Sequence, residues 1–178
     1  MKSVKRQSKT KGRSVNQRPN SKQRKTVLRD NWKRLSSIPG GKKLFSMVVG
    51  RTARYTGTIG ATVEEVEDGR AVVTMRDKPL VRNHLKSVHA IALMNLGELV
   101  TGLTVMYQVD GRGRGIVSHL EMEYVKKARG TITGECTFIV PSEVGVHENI
   151  VVEGILRDSD GDEVARCRAT WKLEIFDV

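Results

Sequence analysis

Cysteine and aromatic residues are scarce in this chain of 178 residues, and each scarcity excludes a class of protein. The only two cysteines, Cys136 and Cys167, lie in stretches where apolar and polar residues alternate. We therefore interpret them as buried thiols in a reducing compartment, not as part of a disulfide framework. Only eight residues are Phe, Trp or Tyr (three, two and three), so few rings are present to stack on nucleic-acid bases.

Acidic residues are absent from the first 29 positions, which hold 11 of the 31 lysines and arginines. The first acid is Asp30, and the 149 residues after position 29 hold 20 basic and 20 acidic groups. The net charge of +11 therefore belongs to the tail, and the neutral remainder argues against a nucleic-acid-binding domain. Residues 1–26 have almost nothing to bury, so we predict a disordered basic tail that contacts polyanions weakly.

Long apolar runs are lacking as well. No run approaches the roughly 18 residues that a membrane span needs, so the sequence predicts none. The N-terminus also lacks the apolar core of a secretory signal. An acid-free, Arg-containing start would suit a mitochondrial presequence, but residues 1–25 have only Met1, Val4 and Val15 as aliphatic side chains. We expect a cytoplasmic protein.

The rest of the chain, residues 27–178, is predicted to form one domain that begins with helical segments. Residues 27–35 and 42–50 have the pattern of short helices on either side of the breaker IPGG at 38–41. Four apolar residues are expected to anchor these helices on the core: Trp32, Leu35, Phe45 and Val48.

Six stretches have the alternation that is typical of strands. The first two lie within residues 56–77, around the dipeptide Asp68-Gly69 that favours a tight hairpin. Four more follow a long helix, with short connections, at 115–125, 130–140, 148–158 and 163–176. The acidic turn between the last two resembles the start of a calcium loop, but its glycine comes two positions early, so we interpret it as a hairpin turn.

The long helix is predicted at residues 87–107, and its apolar residues go all the way round. A helix that is apolar on every side is a buried one. Ser87 suits the N-cap, and Gly102 would allow another element to approach closely. One buried helix wrapped by an antiparallel sheet of five or six strands is an α+β hotdog fold, which is our prediction.

Asn95 and Glu98 interrupt the apolar surface of this helix. A buried carboxylate without partners is costly, so Glu98 requires an explanation. Two interpretations remain open from the residues alone. Glu98 is either a general base or nucleophile of raised pKa, or it pairs with an arginine such as Arg76 or Arg82 or lies at an exposed helix edge.

A spacing of three residues around the helix start favours the first interpretation. Asn83 is followed by His89 six positions later and by Glu98 nine positions after that. This pattern, with YVKKARG at 124–130, resembles hotdog thioesterases of the phenylacetate-degradation type over roughly 45–176. It is most similar to a subgroup of bacterial and fungal hotdog proteins whose activity is mostly inferred. The family usually has Gly after the His, where this chain has Ala90.

The resemblance implies an acyl-CoA thioesterase and assigns a role to each residue. The backbone N–H of Ala90, at the positive end of the helix, would polarise the thioester carbonyl. Asn83 would orient the water or the thioester, and Glu98 would activate that water or attack directly to give an anhydride. His89 is expected to be structural. No cofactor is expected beyond coenzyme A as part of the substrate.

Coenzyme A carries phosphates, so cations are expected at the mouth of the pocket, with solvated surface charge as the alternative. The candidates surround the strand that follows the helix: Lys126, Lys127 and Arg129, with Arg112 and Arg114 behind them. Tyr124 is expected to line the acyl pocket or to pack in the core. No metal is expected, because His84 and His89 are wrongly spaced for two ligands on one helix face.

Each site is predicted to need two chains. Ala90 and Glu98 are eight residues apart, which is about 12 Å along a helix and too far for both to reach one thioester. Two helices running antiparallel across a two-fold axis would bring Ala90 of one subunit beside Glu98 of the other. We therefore expect a homodimer or a dimer of dimers. A hotdog protein that binds acyl-CoA or a protein partner without catalysis is the alternative.

Overall fold

The computed structural model describes residues 26–141 and 148–176, so the predicted basic tail lies outside the described residues except for its last position. Within these residues, three helices, two 3-10 turns and six strands follow one another. Their bounds are α1 (Val27–Ser36), α2 (Gly41–Thr52), η1 (Thr56–Ile59), β1 (Thr62–Glu67), β2 (Arg70–Met75), η2 (Pro79–Val81), α3 (Ala90–Val109), β3 (Gly113–Tyr124), β4 (Ile132–Thr137), β5 (Glu148–Arg157) and β6 (Glu163–Ile175).

The six strands form one antiparallel sheet in the order β1-β2-β4-β5-β6-β3. The long helix α3 contacts every strand of it, and the predicted α+β hotdog fold is confirmed. The hairpin at Asp68-Gly69 and the acidic turn before β6 are also as predicted. β1 and β3 are the two edges, and β3 pairs only with β6 among the described strands.

Burial of α3 follows from its composition. Fourteen of its 20 residues are buried, and two glycines let the sheet approach its backbone. A Cβ atom on Gly102 would lie 2.9 Å from the ring of Trp171, which confirms the close approach predicted there. A Cβ atom on Gly97 would lie 2.6 Å from the Cβ atom of Cys167. Side chains at these positions would push β6 away from the helix.

The same helix corrects one sequence-based expectation. Among the described residues α3 is the one helix long and apolar enough to cross a membrane by length and composition, although no such run was predicted. Most of it is buried against the sheet, as a core helix must be. Its length and composition are therefore weak evidence for a membrane span.

The helix start was predicted three residues too early. α3 begins at Ala90, and its N-cap is His89, not Ser87. Val88 is held in extended backbone instead, because its N–H donates to the carbonyl of Ala128 at 2.9 Å and it forms a bridge with Arg82. The helix therefore cannot begin before His89.

Two further predictions at the N-terminal side need correction. Residues 56–59 form the turn η1 and not the start of a strand, and Gly60 follows in the left-handed conformation with φ of 59°. Val48 is 41% exposed and does not anchor α2. The other three predicted anchors are buried, at Trp32, Leu35 and Phe45.

Candidate active site

The loop before α3 is organised by Asn83. Its Oδ1 accepts hydrogen bonds from the N–H of Leu85 at 2.9 Å and from the N–H and hydroxyl of Ser87, both at 3.2 Å. Three donors on one oxygen fix the orientation of the amide. Ser87, predicted as the helix cap, therefore belongs to this loop. The Nδ2 group of Asn83 donates to no described residue and is the part of the amide left for a ligand.

The first turn of α3 presents a free donor beside this loop. The Nδ1 atom of His89 accepts a hydrogen bond from the N–H of Ile91 at 3.1 Å, so the ring caps the helix. The N–H of Ala90 donates to no described residue. It lies at the start of a 20-residue helix, where the helix dipole favours negative charge. Such a donor is suited to an oxyanion.

Tyr124 lies beside this donor. Its hydroxyl donates to the carbonyl of Ala90 at 3.1 Å, and its side chain is 46% exposed. Burial of the remainder raises the pKa of the phenol above its usual value, so the hydroxyl keeps its proton at neutral pH. The end of β3 is thereby fixed against the start of α3.

The predicted cations divide into two groups. The carbonyl of Ala128 bonds the N–H of Val88 just before α3, so the exposed Lys127 and Arg129 on either side of it flank the helix start. Neither forms an ion pair with a described residue. Lys126 is different, because its ammonium binds Asp158 at 2.8 Å and Asp162 at 2.6 Å. The acidic turn therefore neutralises Lys126, which makes it a poor phosphate ligand.

Arg112 and Arg114 lie elsewhere. Arg114 pairs with Glu174 at 2.5 Å, and the Nε of Arg112 donates to the carbonyl of Gln108 at 3.2 Å. Arg114 is the second residue of β3 and Arg112 lies just before the strand, whereas Tyr124 ends β3 about 33 Å from Arg114 in extended chain. The structure therefore separates these two arginines from the start of α3 in the same chain.

Glu98 lies two turns further along α3 and is half-buried. Burial raises the pKa of its carboxyl, and the neighbouring Thr56 hydroxyl acts in the opposite direction. Neither predicted arginine pairs with it, since Arg82 instead binds Asp77 at 2.6 Å and Arg76 contacts no carboxylate among the described residues. Glu98 is thus a carboxylate with a hydroxyl neighbour and no described cation.

Thr56 is a site residue that the sequence did not predict. It lies in η1, which α3 holds through a second contact: the Nδ2 of the buried Asn95 donates to the carbonyl of Tyr55 at 3.2 Å. Asn95 and Glu98 are one turn apart on the helix and contact consecutive residues of the chain. Both residues therefore face the segment at η1.

A pocket of about 400 Å³ opens beside Glu98, between α2, η1, β1 and α3. Thr56 and Leu99 are both part of its wall. It does not reach Ala90, which lies two helical turns from Glu98. A single chain therefore has a free N–H at the helix start and a half-buried carboxylate at mid-helix, and it does not bring them together.

The family model of a domain of unknown function, DUF4442, matches residues 41–173. The chain belongs to the DUF4442 family. The match begins at the first residue of α2 and ends within β6, so it includes every candidate site residue named above. A search of curated proteins finds no match.

Solved structures share the fold of this DUF4442 protein. The crystal structure of a structural-genomics protein, APC5556, is 26% identical with a TM-score of 0.69, covering 84% of this chain and 97% of its own. A probable thioesterase of Pseudomonas aeruginosa, PA5026, is 23% identical with a TM-score of 0.65, covering 78% and 97%. A thioesterase of Staphylococcus aureus, SAV0944, is 17% identical with a TM-score of 0.61, covering 68% and 98%. At such identities the last two show the fold alone.

Other chemistry in the DUF4442 domain has little support. Burial raises the pKa of Cys136 to about 11 and that of Cys167 to about 12, so both remain protonated and weakly nucleophilic. Within residues 26–141 and 148–176, no group of three His, Cys, Asp or Glu side chains could hold a metal ion. Glu98, by contrast, is a carboxyl in the described part of the chain whose pKa is raised by burial.

Proposed function

We propose that this protein is an acyl-CoA thioesterase that works as a homodimer. The observation that carries the proposal is the environment of Glu98. This carboxylate is half-buried, has a raised pKa and forms no ion pair with a described residue, and its neighbours Thr56 and Leu99 line a pocket. Burying a carboxylate in this way costs stability, and a catalytic base is the function that such an environment serves.

The proposed reaction uses the two halves of the site from different subunits. The oxygen of the thioester carbonyl accepts a hydrogen bond from the N–H of Ala90 of one subunit, and Asn83 orients the thioester or the water through its free Nδ2. Glu98 of the other subunit takes a proton from water, whose oxygen attacks the carbonyl carbon. The C–S bond then breaks, and the departing thiolate of coenzyme A receives the proton from Glu98. Direct attack by Glu98, giving an anhydride that water hydrolyses, is the second possible course.

Uncovered groups at β3 and at the start of α3 support the dimer. β3 is a 12-residue edge strand whose outer hydrogen-bonding groups have no described strand beside them. Ile91 is 50% exposed although it belongs to the core helix, and Tyr124 next to it is 46% exposed. An uncovered strand edge with apolar side chains beside it is a surface that a second subunit can cover. A two-fold axis there would place the two α3 helices antiparallel.

Substrate binding and cellular location complete the proposal. Lys127 and Arg129 flank the start of α3 and are free to bind the phosphates of coenzyme A. The two buried, protonated thiols suit the reducing cytoplasm, where we place the protein. Residues 1–26 would contact polyanions weakly and take no part in hydrolysis.

A non-catalytic acyl-CoA-binding protein is the second candidate, and Ala90 is the observation that favours it. The hotdog thioesterases that this sequence resembles usually have glycine at this position. The methyl group of Ala90 leaves less space for a thioester to reach the N–H donor. A panel of short, medium and aryl acyl-CoA thioesters, followed by release of free thiol, separates the two. We expect turnover by the parent protein and a loss of at least about 100-fold in kcat for Glu98→Gln. Binding of the panel without turnover would leave only the second candidate.

A further inference from the structure

The outer face of α2 carries three exposed apolar side chains. Leu44, Met47 and Val48 are 43%, 46% and 41% exposed, and their spacing of three and four residues makes them neighbours on the helix surface. The opposite side of the helix is buried through Phe45, whose ring meets that of Trp32 edge-on at 5.0 Å. Single apolar residues are normal on a surface, but a contiguous group marks an interaction site. We call these three residues the α2 patch.

Free cations border the α2 patch. Lys43 and Arg51 belong to the same helix, are exposed and form no ion pair with a described residue. Both also line the pocket between α2, η1, β1 and α3, as does Met47 of the patch, and no acidic residue is among the lining residues. A negatively charged group can therefore lie next to the apolar side chains without meeting a carboxylate.

Charge along the chain is as uneven around the α2 patch as it is in the tail. Residues 1–63 hold 17 of the 31 lysines and arginines and a single acid, Asp30, and residues 31–63 hold no acid at all. The remaining 115 residues hold 14 basic and 19 acidic groups. The segment that contains α2 is thus basic, and the rest of the chain carries a net negative charge. A partner that is complementary to both the patch and its cations has to be apolar beneath a negatively charged surface.

We propose that the α2 patch binds an anionic membrane surface. Its three apolar side chains enter the headgroup region, and Lys43 and Arg51 contact the phosphates of the lipids. A second copy of this chain fits less well, because a face-to-face contact would bring Lys43 and Arg51 against the same cations of the other copy. The strand edge proposed for the dimer is a different surface, since α2 packs on β1 and β3 is the other edge of the sheet.

Binding of the full-length protein to lipid vesicles tests the proposal and requires no thioester, so its outcome is independent of hydrolysis. Phosphatidylcholine vesicles with about 30% phosphatidylserine should sediment the protein, and pure phosphatidylcholine vesicles should bind it at least about tenfold more weakly. Absence of binding to the anionic vesicles would overturn the inference.

Removal of apolar side chains from the patch distinguishes it from the basic tail. Leu44→Gln with Met47→Gln leaves every charge in place and should weaken binding to anionic vesicles by at least about tenfold, because two apolar side chains no longer leave water. The matched control is Leu80→Gln with Val151→Gln, at residues that are 81% and 61% exposed and lie outside the patch, and it should bind as the parent does. Equal binding by all three proteins would show that the basic tail alone makes the contact, and the patch would be wrong.

The bordering cations have their own matched pair of variants. Lys43→Gln with Arg51→Gln should weaken binding about fivefold for each cation removed. Arg76→Gln with Lys172→Gln removes the same charge from exposed positions outside α2 and should have a much smaller effect. Equal losses in the two variants would mean that only net charge matters, and would overturn the assignment of the cations to this face.

A fluorescent label measures insertion directly. Because both native cysteines are buried, a polarity-sensitive dye attached to Met47→Cys reports on the patch. Its emission should shift to the blue when anionic vesicles are added, whereas the same dye on Val151→Cys should not shift. No shift at Met47→Cys would exclude insertion. A native mass that falls in the Leu44→Gln, Met47→Gln variant while vesicle binding stays unchanged would assign the patch to a contact between copies of this chain, and not to a membrane.

Discussion

The Nδ1 atom of His89 accepts a hydrogen bond from the backbone N–H of Ile91 at 3.1 Å, and this cap leaves the N–H of the intervening residue unused. That N–H belongs to Ala90, the first residue of α3, and has no described acceptor. His89 precedes it in an extended conformation, with φ of −68° and ψ of 140°. The backbone around Ala90 is therefore already compatible with a proline at this position, since proline is tolerated at the first helical residue and its predecessor prefers extended backbone.

Ala90→Pro should therefore remove the proposed oxyanion donor and leave the helix intact. We expect kcat to fall by about 100- to 1,000-fold, which is the usual effect of losing one such donor. The melting temperature should stay close to that of the parent protein, as thermal unfolding can check. Ala90→Gly keeps the N–H, removes the methyl group and should retain at least parent activity. Full activity of the proline variant would exclude Ala90 as the donor.

The contact between Thr56 and Glu98 predicts a shift in the pH dependence of hydrolysis. The base acts in its ionised form, so kcat/KM should rise with pH through the pKa of Glu98. The Thr56 hydroxyl stabilises the ionised form and lowers that pKa. Thr56→Val should therefore move the rising limb of the pH profile to higher pH. Thr58→Val is the control, because Thr58 is exposed and bonds the carbonyl of Tyr55 instead. An unchanged pH profile for Thr56→Val would show that Thr56 does not lower the pKa of Glu98.

Burial of Glu98 also predicts a gain of stability when its charge is removed. The pKa of this carboxyl is higher in the folded protein than in the unfolded chain, so the folded state favours the protonated form. Stability from this group is therefore fully present below the unfolded pKa and is lost as pH rises through the folded pKa. Melting temperatures of Glu98→Gln and the parent should agree at acidic pH, and the variant should be the more stable at neutral pH. A less stable variant at neutral pH would show that Glu98 has a stabilising partner.

Local patterns predicted most of the fold because each strand and helix has its own periodicity. Alternation in β5 and β6 and the apolar circumference of α3 are visible in short windows of sequence. The spacing of Asn83, His89 and Glu98 likewise lies within one segment. The prediction for Thr56–Ile59 was wrong. Its residues alternate as in a strand, but a contact with a residue distant in sequence decides its conformation. Asn95, 40 residues away, binds the carbonyl before it.

The contact of Thr56 with Glu98 is of the same distant kind. No periodicity in the sequence relates two residues 42 positions apart, and nothing near Thr56 distinguishes it from other threonines. The predicted start of α3 was wrong for a similar reason, because the carbonyl of Ala128 holds Val88 in extended backbone. Sequence patterns therefore predicted a donor and a base, and the fold shows what surrounds Ala90 and Glu98.

The proposed sharing of each site between two subunits can be tested by subunit exchange. Ala90 and Glu98 lie on one helix about 12 Å apart along its axis, whereas the oxyanion donor and the base must both lie within about 3 Å of reacting groups. Ala90→Pro and Glu98→Gln should each inactivate a homodimer. In a mixed dimer one site would combine the intact Ala90 with the intact Glu98, and the other site would contain both substitutions.

Mixing the two inactive variants should therefore restore activity. With random exchange half of the dimers are mixed and each has one intact site of two, so about a quarter of the parent activity should return. Native mass spectrometry can verify that mixed dimers have formed. The control is a mixture of Glu98→Gln with an Ala90→Pro, Glu98→Gln double variant, which forms no intact site and should stay inactive. Verified exchange without recovered activity would mean that Ala90 and Glu98 do not meet across the interface, and each half of the site would then need another partner.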